Sequence, residues 1–536
     1  MFARAPGVRK AFLRAKGNTM QRKLTIFYTS DVHGCFSPTD YAGGGETASG
    51  LINCMNNFAG DGNTLIIDGG DILQGSPMTY YLYSQRRGGS CVPARLMNTG
   101  GYDFVTLGNH DFNYGKTEIE RYLGALDAVC LCANTDGIAG VRKTAVVRME
   151  NGLRVGLTGV TTQYVTHWEK PENLEGIGVT DAFSAARAAL EELKAQDVDL
   201  TVCIYHGGYE NDPETGEPLS VSGENQGCRI CNELDFDILL TGHQHMAAEN
   251  LRINNTYTCQ PPDKAAAYIR MDVGVDSFIP AQAGRNGVAA GRVTARSRLC
   301  KPWETPLPEA MDYIRPVEEE TGKWLDTPVG HLDVPLTPAE PLDMALNGSL
   351  IANFFNQVQL EASGADVSVT SLANTVRGFA KEVTIRDIVS TYIFPNTLVT
   401  LELDRTQLKQ ALERSAEYFD FDAGGRLRIS SGFLRPTVQH FNFDYVAGVN
   451  VTFDLRRPPG DRVTSILYRG EELSGDRKLT VCMNNYRASG AGGYGVYAGC
   501  RVVREQPTEI SELIIDYVLR HRDISVDKTK WLRVIY

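Results

Sequence analysis

Five short apolar runs in the first half of the chain each end in side chains able to hold a metal ion, and this repetition constrains the fold more than any other feature. Leu24 to Tyr28 leads into Ser30-Asp31-Val32-His33-Gly34, and Leu65-Ile66-Ile67 leads into Asp68-Gly69-Gly70-Asp71. Phe104 to Leu107 leads into Gly108-Asn109-His110-Asp111, Leu200 to Tyr205 into His206-Gly207-Gly208, and Ile238-Leu239-Leu240 into Thr241-Gly242-His243-Gln244-His245. Separated by helical stretches such as Asp181 to Lys194, these runs read as strands of α/β layers. In such sheets ligands bind beyond the carboxyl ends of the strands, where loops converge without being filled by core side chains. Residues distant in sequence can therefore meet there.

The residue types point to metal chemistry at a phosphoryl centre. Asp31 and His33 are separated by one residue, as are His243 and His245, so in extended chain each pair points to one face and can clamp an ion. Any one of these fragments alone is more often an ordinary loop or core residue, but five of the nine histidines fall in these strand-end positions. Together they predict a site for two divalent ions. Two metals stabilise the attacking and leaving oxygens of an in-line phosphoryl displacement and activate a hydroxide near neutral pH. A mixed histidine, carboxylate and amide set suits Mn, Zn, Fe or Co better than Ca.

Charge and composition exclude other classes. Lys plus Arg is 53 and Asp plus Glu is 65, a formal charge of −12, which disfavours a nucleic acid polymer as partner and requires local cations if the substrate is a phosphate. No apolar window is long enough for a membrane span, and neither a signal peptide nor a lipid-anchor motif is seen, so a cytoplasmic location is expected. The basic first 23 residues read as a start upstream of the true initiator, with Met20 favoured. Twelve scattered cysteines with a single CxxC pair, Cys228 and Cys231, read as reduced thiols rather than a zinc knuckle. Gly490 to Gly495 fits GxGxxG, but no helix is expected to open there, so it reads as a loop on the substrate side.

At 536 residues several domains are expected. Three prolines between Pro302 and Pro308 precede an acidic helical stretch with Pro316 inside it, which divides the chain into residues 23–305, a linker helix 306–328, and a second α/β unit 329–536. In the second unit helices are expected over Leu342 to Leu360, Arg405 to Phe419 and Ile510 to Arg520. Strands are expected over Leu398 to Leu403, Val449 to Asp454 and Lys478 to Met483. Gly287 to Arg298 reads as a small-residue surface ribbon.

The strand-end motifs resemble the calcineurin-like metallophosphoesterases, and with the second half the chain from about residue 23 resembles the two-domain 5′-nucleotidase family. The resemblance implies an N-terminal metallophosphoesterase β-sandwich flanked by helices, a linker helix and a C-terminal α/β nucleotide-binding domain. It implies that Asp31, His33, Asp71 and His245 hold one ion and Asp71, Asn109, His206 and His243 the other, with Asp71 bridging. His110 matches the family's transition-state histidine, and Asp111 and Asn113 complete the catalytic set. In the second half, Ala365-Asp366-Val367, Arg377, Pro395-Asn396-Thr397-Leu398 and Asn484 to Gly490 match the nucleotide-binding domain. Tyr486 would form one side of a base sandwich, Phe441 or Phe443 the other, with Asn485 and Arg377 also contacting substrate.

The departures from the family pattern narrow the expectation. The Asn-Gly-Gly-Gly-Ile-Arg motif is here Leu372-Ala373-Asn374-Thr375-Val376-Arg377, the acid that holds ribose hydroxyls is replaced by Gly492, and the aspartate after the Asn-His motif is Asn113. With Gly108 to Gly115, Phe441-Asn442-Phe443-Asp444 and Asn485-Tyr486-Arg487-Ala488, these resemble the branch with 2′,3′-cyclic-nucleotide 2′-phosphodiesterase and 3′-nucleotidase activity. Gly492 is expected to leave room where a carboxylate would repel a 2′- or 3′-phosphate. The alternatives are a 5′-nucleotidase or nucleotide-sugar hydrolase, and a non-catalytic nucleotide-binding protein. The oligomeric state is not legible.

Overall fold

The computed structural model describes residues 21–86, 91–219, 223–276, 293–394, 396–435 and 438–536. The basic segment up to residue 20 and the first half of the Gly287 to Arg298 ribbon lie outside them, and its second half belongs to the β-strand Val293–Cys300.

The first half stacks two sheets. One has seven strands in the order Val293–Cys300, Tyr268–Asp276, Gln21–Thr29, Thr64–Asp68, Phe104–Val105, Val129–Leu131, Val141–Arg142. The other has six, in the order Ala248–Ile253, Thr256–Gln260, Ile238–Thr241, Leu200–His206, Arg154–Thr161, Thr144–Arg148. Side chains alternate across each strand. Leu24, Ile26 and Tyr28 meet Val155, Leu157, Val202, Ile204 and Leu240 between the sheets, while Phe27 faces outward to Leu51, Met55, Ile314 and Val317. On the far side, Cys203, Tyr205 and Leu239 pack on Phe183, Ala186 and Leu190 of the helix Ala182–Lys194, which Asp181 caps through the Ser184 N–H. These runs are apolar throughout because both of their faces are covered.

The helix Pro308–Leu325 joins the two halves and contributes to both cores: Ala310, Ile314 and Val317 to the first, Leu325 to the second. It runs through Pro316 as one element. Glu318 on it accepts hydrogen bonds from Ser37 and from Tyr41 Oη (2.8 Å).

The second half is built on a mixed five-stranded sheet, in the order Tyr445–Ala447, Val367–Thr370, Leu479–Asn484, Thr397–Leu403, Arg501–Glu509. Helices Leu350–Ser363 and Ile510–His521 cover one face and Arg405–Ala416 the other. A four-stranded sheet, Glu471–Glu472, Val463–Tyr468, Val449–Asp454 and Leu532–Ile535, packs beside it. The single helix expected over Leu342 to Leu360 is two: Pro341–Asn347 and Leu350–Ser363. Gly348 between them sits at φ +88°, which ends the first helix, and Ser349 caps the second.

Candidate metal centre and nucleotide cleft

Strand register brings the ligand-bearing loops together. Thr29 pairs with Asp68 and Asp68 with Val105 in parallel, so Asp31, Asp71 and Asn109 emerge at one edge of the first sheet. Tyr205 pairs with Thr241 in the second, which delivers His206 and the His243–His245 loop to the same edge. The loops are then stitched by backbone bonds, Asp31 N–H to Gly70 O (2.9 Å) and His33 N–H to Asp71 O (2.8 Å). Asp31, His33, Asp71, His243 and His245 all have φ between +50° and +72°, a region costly for most L-residues but tolerated best by Asn, Asp and His. Close approach also requires Gly108, where a Cβ would lie 2.1 Å from Asp71 Oδ1.

Two groups of donor atoms result, Asp31 with His33 and His245, and Asp71 with His206 and His243, each within 4.8 Å of one another. Asn109 Oδ1 lies 3.2 Å from His206 Nε2, and Asp71 Oδ2 lies 3.2 Å from the same nitrogen and 3.9 Å from His33 Nε2, between the groups. His206 Nδ1 bonds Gly69 O (2.7 Å) and His33 Nδ1 bonds Gln74 O (3.1 Å), which orients both Nε2 atoms inward. His33 Nε2 and His245 Nε2 stand 3.1 Å apart. Asp71 Oδ2 is buried without a hydrogen-bond partner. Facing imidazole nitrogens around an orphaned carboxylate oxygen are what a pair of divalent ions would satisfy.

The protonation pattern reflects this crowding. Burial alone would raise the Asp31 and Asp71 carboxyls, but His245 and His206 hold Asp31, and His206, His110 and His33 hold Asp71, below the usual carboxylate range. His206 is desolvated yet raised to about 10 by Asp71 and Asp31, whereas burial takes His33 down to about 3 despite Asp71.

His110 lines the cleft above these groups, and its backbone N–H bonds Asp71 Oδ1 (2.7 Å). Asp111, expected in the catalytic set, does something else. It is fully buried and accepts the backbone N–H groups of Asp71 (2.9 Å), Ile72 (3.0 Å), Leu73 (3.0 Å) and Gly108 (2.8 Å), so it braces two ligand loops and does not line the cleft. Asn113 contacts the His110 ring from behind, Oδ1 to Nδ1 at 2.9 Å.

The cleft, about 310 Å³, lies between the halves and is also lined by Trp168, Glu224, Gln244, Thr397, Asn485, Glu505 and Gln506. Trp168 stacks on His243 (ring centroids 5.4 Å apart), and Glu224 Oε1 lies 2.5 Å from His243 Nε2. Burial, with Glu224 nearby, raises Glu505. None of Trp168, Glu224 and Glu505 follows a strand end or belongs to a recognisable motif; only Trp168, one of four tryptophans, carried any compositional signal. Among the described residues lining the cleft there is no lysine or arginine.

Of the expected base-binding residues, Phe441 is partly exposed beside Phe394 (centroids 6.3 Å apart) and Tyr486 is 42% exposed. Phe443 is not available: it is 2% exposed, packed among Tyr418, Phe419 and Tyr445. The expected shared strand face does not form, because His440–Asn442 is a 3₁₀ turn. Arg377 is exposed, and Asn485 Oδ1 accepts the Tyr486 N–H (3.0 Å). The two motifs are joined by Arg487, 1% exposed, which bonds Asp444 Oδ1 (2.9 Å), Phe441 O (2.9 Å) and Ala491 O (2.7 Å) and lies 4.0 Å above the Tyr494 ring. Gly492 does not leave room: it sits at φ +73°, and a Cβ there would meet Asn442 Oδ1 at 2.2 Å and Arg487 Nη1 at 2.3 Å. Its lack of a side chain makes space for Arg487.

Residues 24–247 match the calcineurin-like phosphoesterase family and residues 328–499 the 5′-nucleotidase C-terminal domain. A solved structure from Staphylococcus aureus, a candidate 5′-nucleotidase in complex with α-ketoglutarate, is 31% identical, covers 96% of this chain and 100% of its own, and superposes with a TM-score of 0.66. The chain belongs to the 5′-nucleotidase family. Membership makes it a metal-dependent hydrolase of phosphoric esters, with a phosphoesterase half and a nucleotidase half in the order expected from the sequence. A 2′,3′-cyclic-nucleotide 2′-phosphodiesterase/3′-nucleotidase of Haemophilus influenzae is 25% identical over 95% of this chain and 86% of its own. A trifunctional nucleotide phosphoesterase of Bacillus subtilis is 23% identical over 94% of this chain, which spans 38% of that longer protein. Among the described residues no helix is long and apolar enough to cross a membrane.

Proposed function

We propose that the protein hydrolyses 2′,3′-cyclic nucleotides and 3′-nucleotides. The observation that carries the metal-dependent part is the absence of any lysine or arginine among the described residues lining the cleft, in a chain of charge −12. Cations held in the two donor groups would meet the phosphate charge there. Asp31, His33, Asp71 and His245 would hold one divalent ion and Asp71, Asn109, His206 and His243 the other, with Mn, Zn, Fe or Co favoured by the donor set. When bound, such a pair supplies Lewis acidity and charge neutralisation at the phosphoryl centre. His110, on the cleft wall, exchanges a proton with the leaving oxygen at Nε2. Phe441 and Tyr486 take the base between them, with Asn485 and Arg377 as polar contacts of the nucleoside.

The regiochemistry rests on Gly492, where no carboxylate can be placed to hold free 2′ and 3′ hydroxyls, and is supported by the Haemophilus influenzae relative's name. Glu224 and Glu505 do not bear on that choice, but two acids in the cleft disfavour substrates carrying a second phosphate, such as nucleotide sugars. The test is kcat/KM for 2′,3′-cyclic AMP, 3′-AMP and 5′-AMP under one metal condition, with the first two expected to exceed the third. A preference for 5′-AMP would assign the chain to 5′-nucleotidase activity instead. Restoring an acid at Gly492 is no test, because Arg487 occupies the space.

A further inference from the structure

Behind His110, a carboxylate stands one residue further out than a direct histidine–carboxylate pair would place it. Asn113 Oδ1 lies 2.9 Å from His110 Nδ1, and Asn113 Nδ2 donates to Glu169 Oε2. The other oxygen of Glu169 accepts from the Lys170 N–H (2.7 Å) and from Asn173 Nδ2 (2.8 Å), which also reaches Asn113 O (2.8 Å). Glu169 is held at the end of the turn Val165–Trp168 by its own N–H to Val165 O (2.9 Å), and the preceding Trp168 stacks on His243. One short segment therefore grips the metal centre with one residue and the His110 support with the next.

We propose that Glu169 is a positioning residue for His110, acting through Asn113 by fixing which end of the Asn113 amide faces the imidazole. An ionised carboxylate only accepts hydrogen bonds, so it accepts from Nδ2 and turns Oδ1 to His110. Oδ1 in turn only accepts, so His110 Nδ1 keeps its proton in both the neutral and the cationic ring. Nε2 is then the one ring nitrogen at which a proton comes and goes. An asparagine without this outer carboxylate could present Nδ2 instead, which would place the proton on Nε2 and leave the neutral ring unable to accept there.

The inference rests on the reading that His110 meets the reacting phosphate, and the experiment separates the two. Glu169→Gln keeps the shape but offers one oxygen and one NH₂. With that oxygen held by the Lys170 and Asn173 donors, the NH₂ faces Asn113 and reverses it. Using a simple alkyl phosphodiester, so that base recognition plays no part while the leaving oxygen still needs its proton, Glu169→Gln should lose about 10- to 100-fold in kcat, the range for partners that orient a functional side chain. KM should stay within about twofold and bound metal should be unchanged. In an Asn113→Asp background the carboxylate contacts His110 directly, so adding Glu169→Gln should cost less than about threefold, because the amide no longer needs orienting. Undiminished kcat in Glu169→Gln beside a crippled His110→Ala overturns the proposal alone. An equal loss with Asn113 intact and in the Asn113→Asp background also overturns it, by showing that Glu169 merely braces its loop. Undiminished kcat in His110→Ala overturns the proposal together with the role of His110.

Discussion

Replacing Arg487 by Met tests how the nucleotide-binding half is held together. The substitution removes a buried cation that bonds Asp444 and the carbonyls of Phe441 and Ala491, and leaves Asp444, whose Oδ2 already has no partner, as a buried acid. Breaking a buried pair from one side costs about 3 to 5 kcal/mol. For a unit of roughly 200 residues, at about 2 to 4 °C per kcal/mol, that lowers its melting transition by roughly 6 to 20 °C. Burial pushes the Asp444 carboxyl up to about 6 even beside Arg487, so without the cation it takes up a proton more readily. The penalty should therefore be smaller at pH 5 than at pH 8. Adding Asp444→Leu should recover most of the lost stability, because an apolar pair replaces the ionic one. KM for nucleotides should stay high, since the Phe441 carbonyl remains unanchored. Calorimetry of the single and double variants at both pH values, with KM for a nucleotide and for an aryl phosphodiester, reads all of this. An unshifted melting transition in Arg487→Met, or a double variant as unstable as the single one, would refute the reasoning.

Asp71→Asn should abolish turnover and lower bound metal with the fold intact, as read by metal analysis and circular dichroism; the side chain is isosteric and asparagine tolerates φ near +59°. Tyr486→Ala should raise KM for nucleotides by the equivalent of about 1 to 3 kcal/mol of stacking while sparing an aryl phosphodiester, and equal losses on both would indicate misfolding instead. Glu512, on the helix Ile510–His521 and bonded to Gln74 of the first half, has its carboxyl raised to about 8, burial being the main cause. A raised acid stabilises the fold fully below its unfolded pKa and loses that contribution as pH rises through the folded value, so the melting temperature should fall between about pH 5 and 9, and Glu512→Gln should flatten the fall.

The strand ends were legible because their chemistry is local: apolar runs stop at Asp31, Asp71, Asn109, His206 and His243, and parallel register does the rest. What was missed depends on contacts across the fold. Trp168 and Glu505 reach the cleft from a short turn and from a strand of the other half, and nothing near them in sequence marks that convergence. Asp111 was expected in the catalytic set by resemblance, but four backbone donors from two loops occupy its oxygens. Phe441 and Phe443 were indistinguishable as an alternating pair, and a 3₁₀ turn leaves the first partly exposed and buries the second in the core. Gly492 looked like vacated space, yet a buried arginine from the same motif fills it.

The left-handed backbone at Asp31, His33, Asp71, His243 and His245 has a consequence for how such a site can decay. Aspartate, histidine and asparagine share both the capacity to ligate and a tolerance of this conformation, so the metal-binding alphabet and the backbone alphabet coincide at these positions. Alanine removes a ligand and strains the turn at once, whereas asparagine weakens the ligand and glycine removes it without straining the turn. A lineage that abandoned catalysis but kept the fold would therefore be expected to carry asparagine or glycine at these five positions. Site-directed work that relies on alanine would mistake loop distortion for lost chemistry.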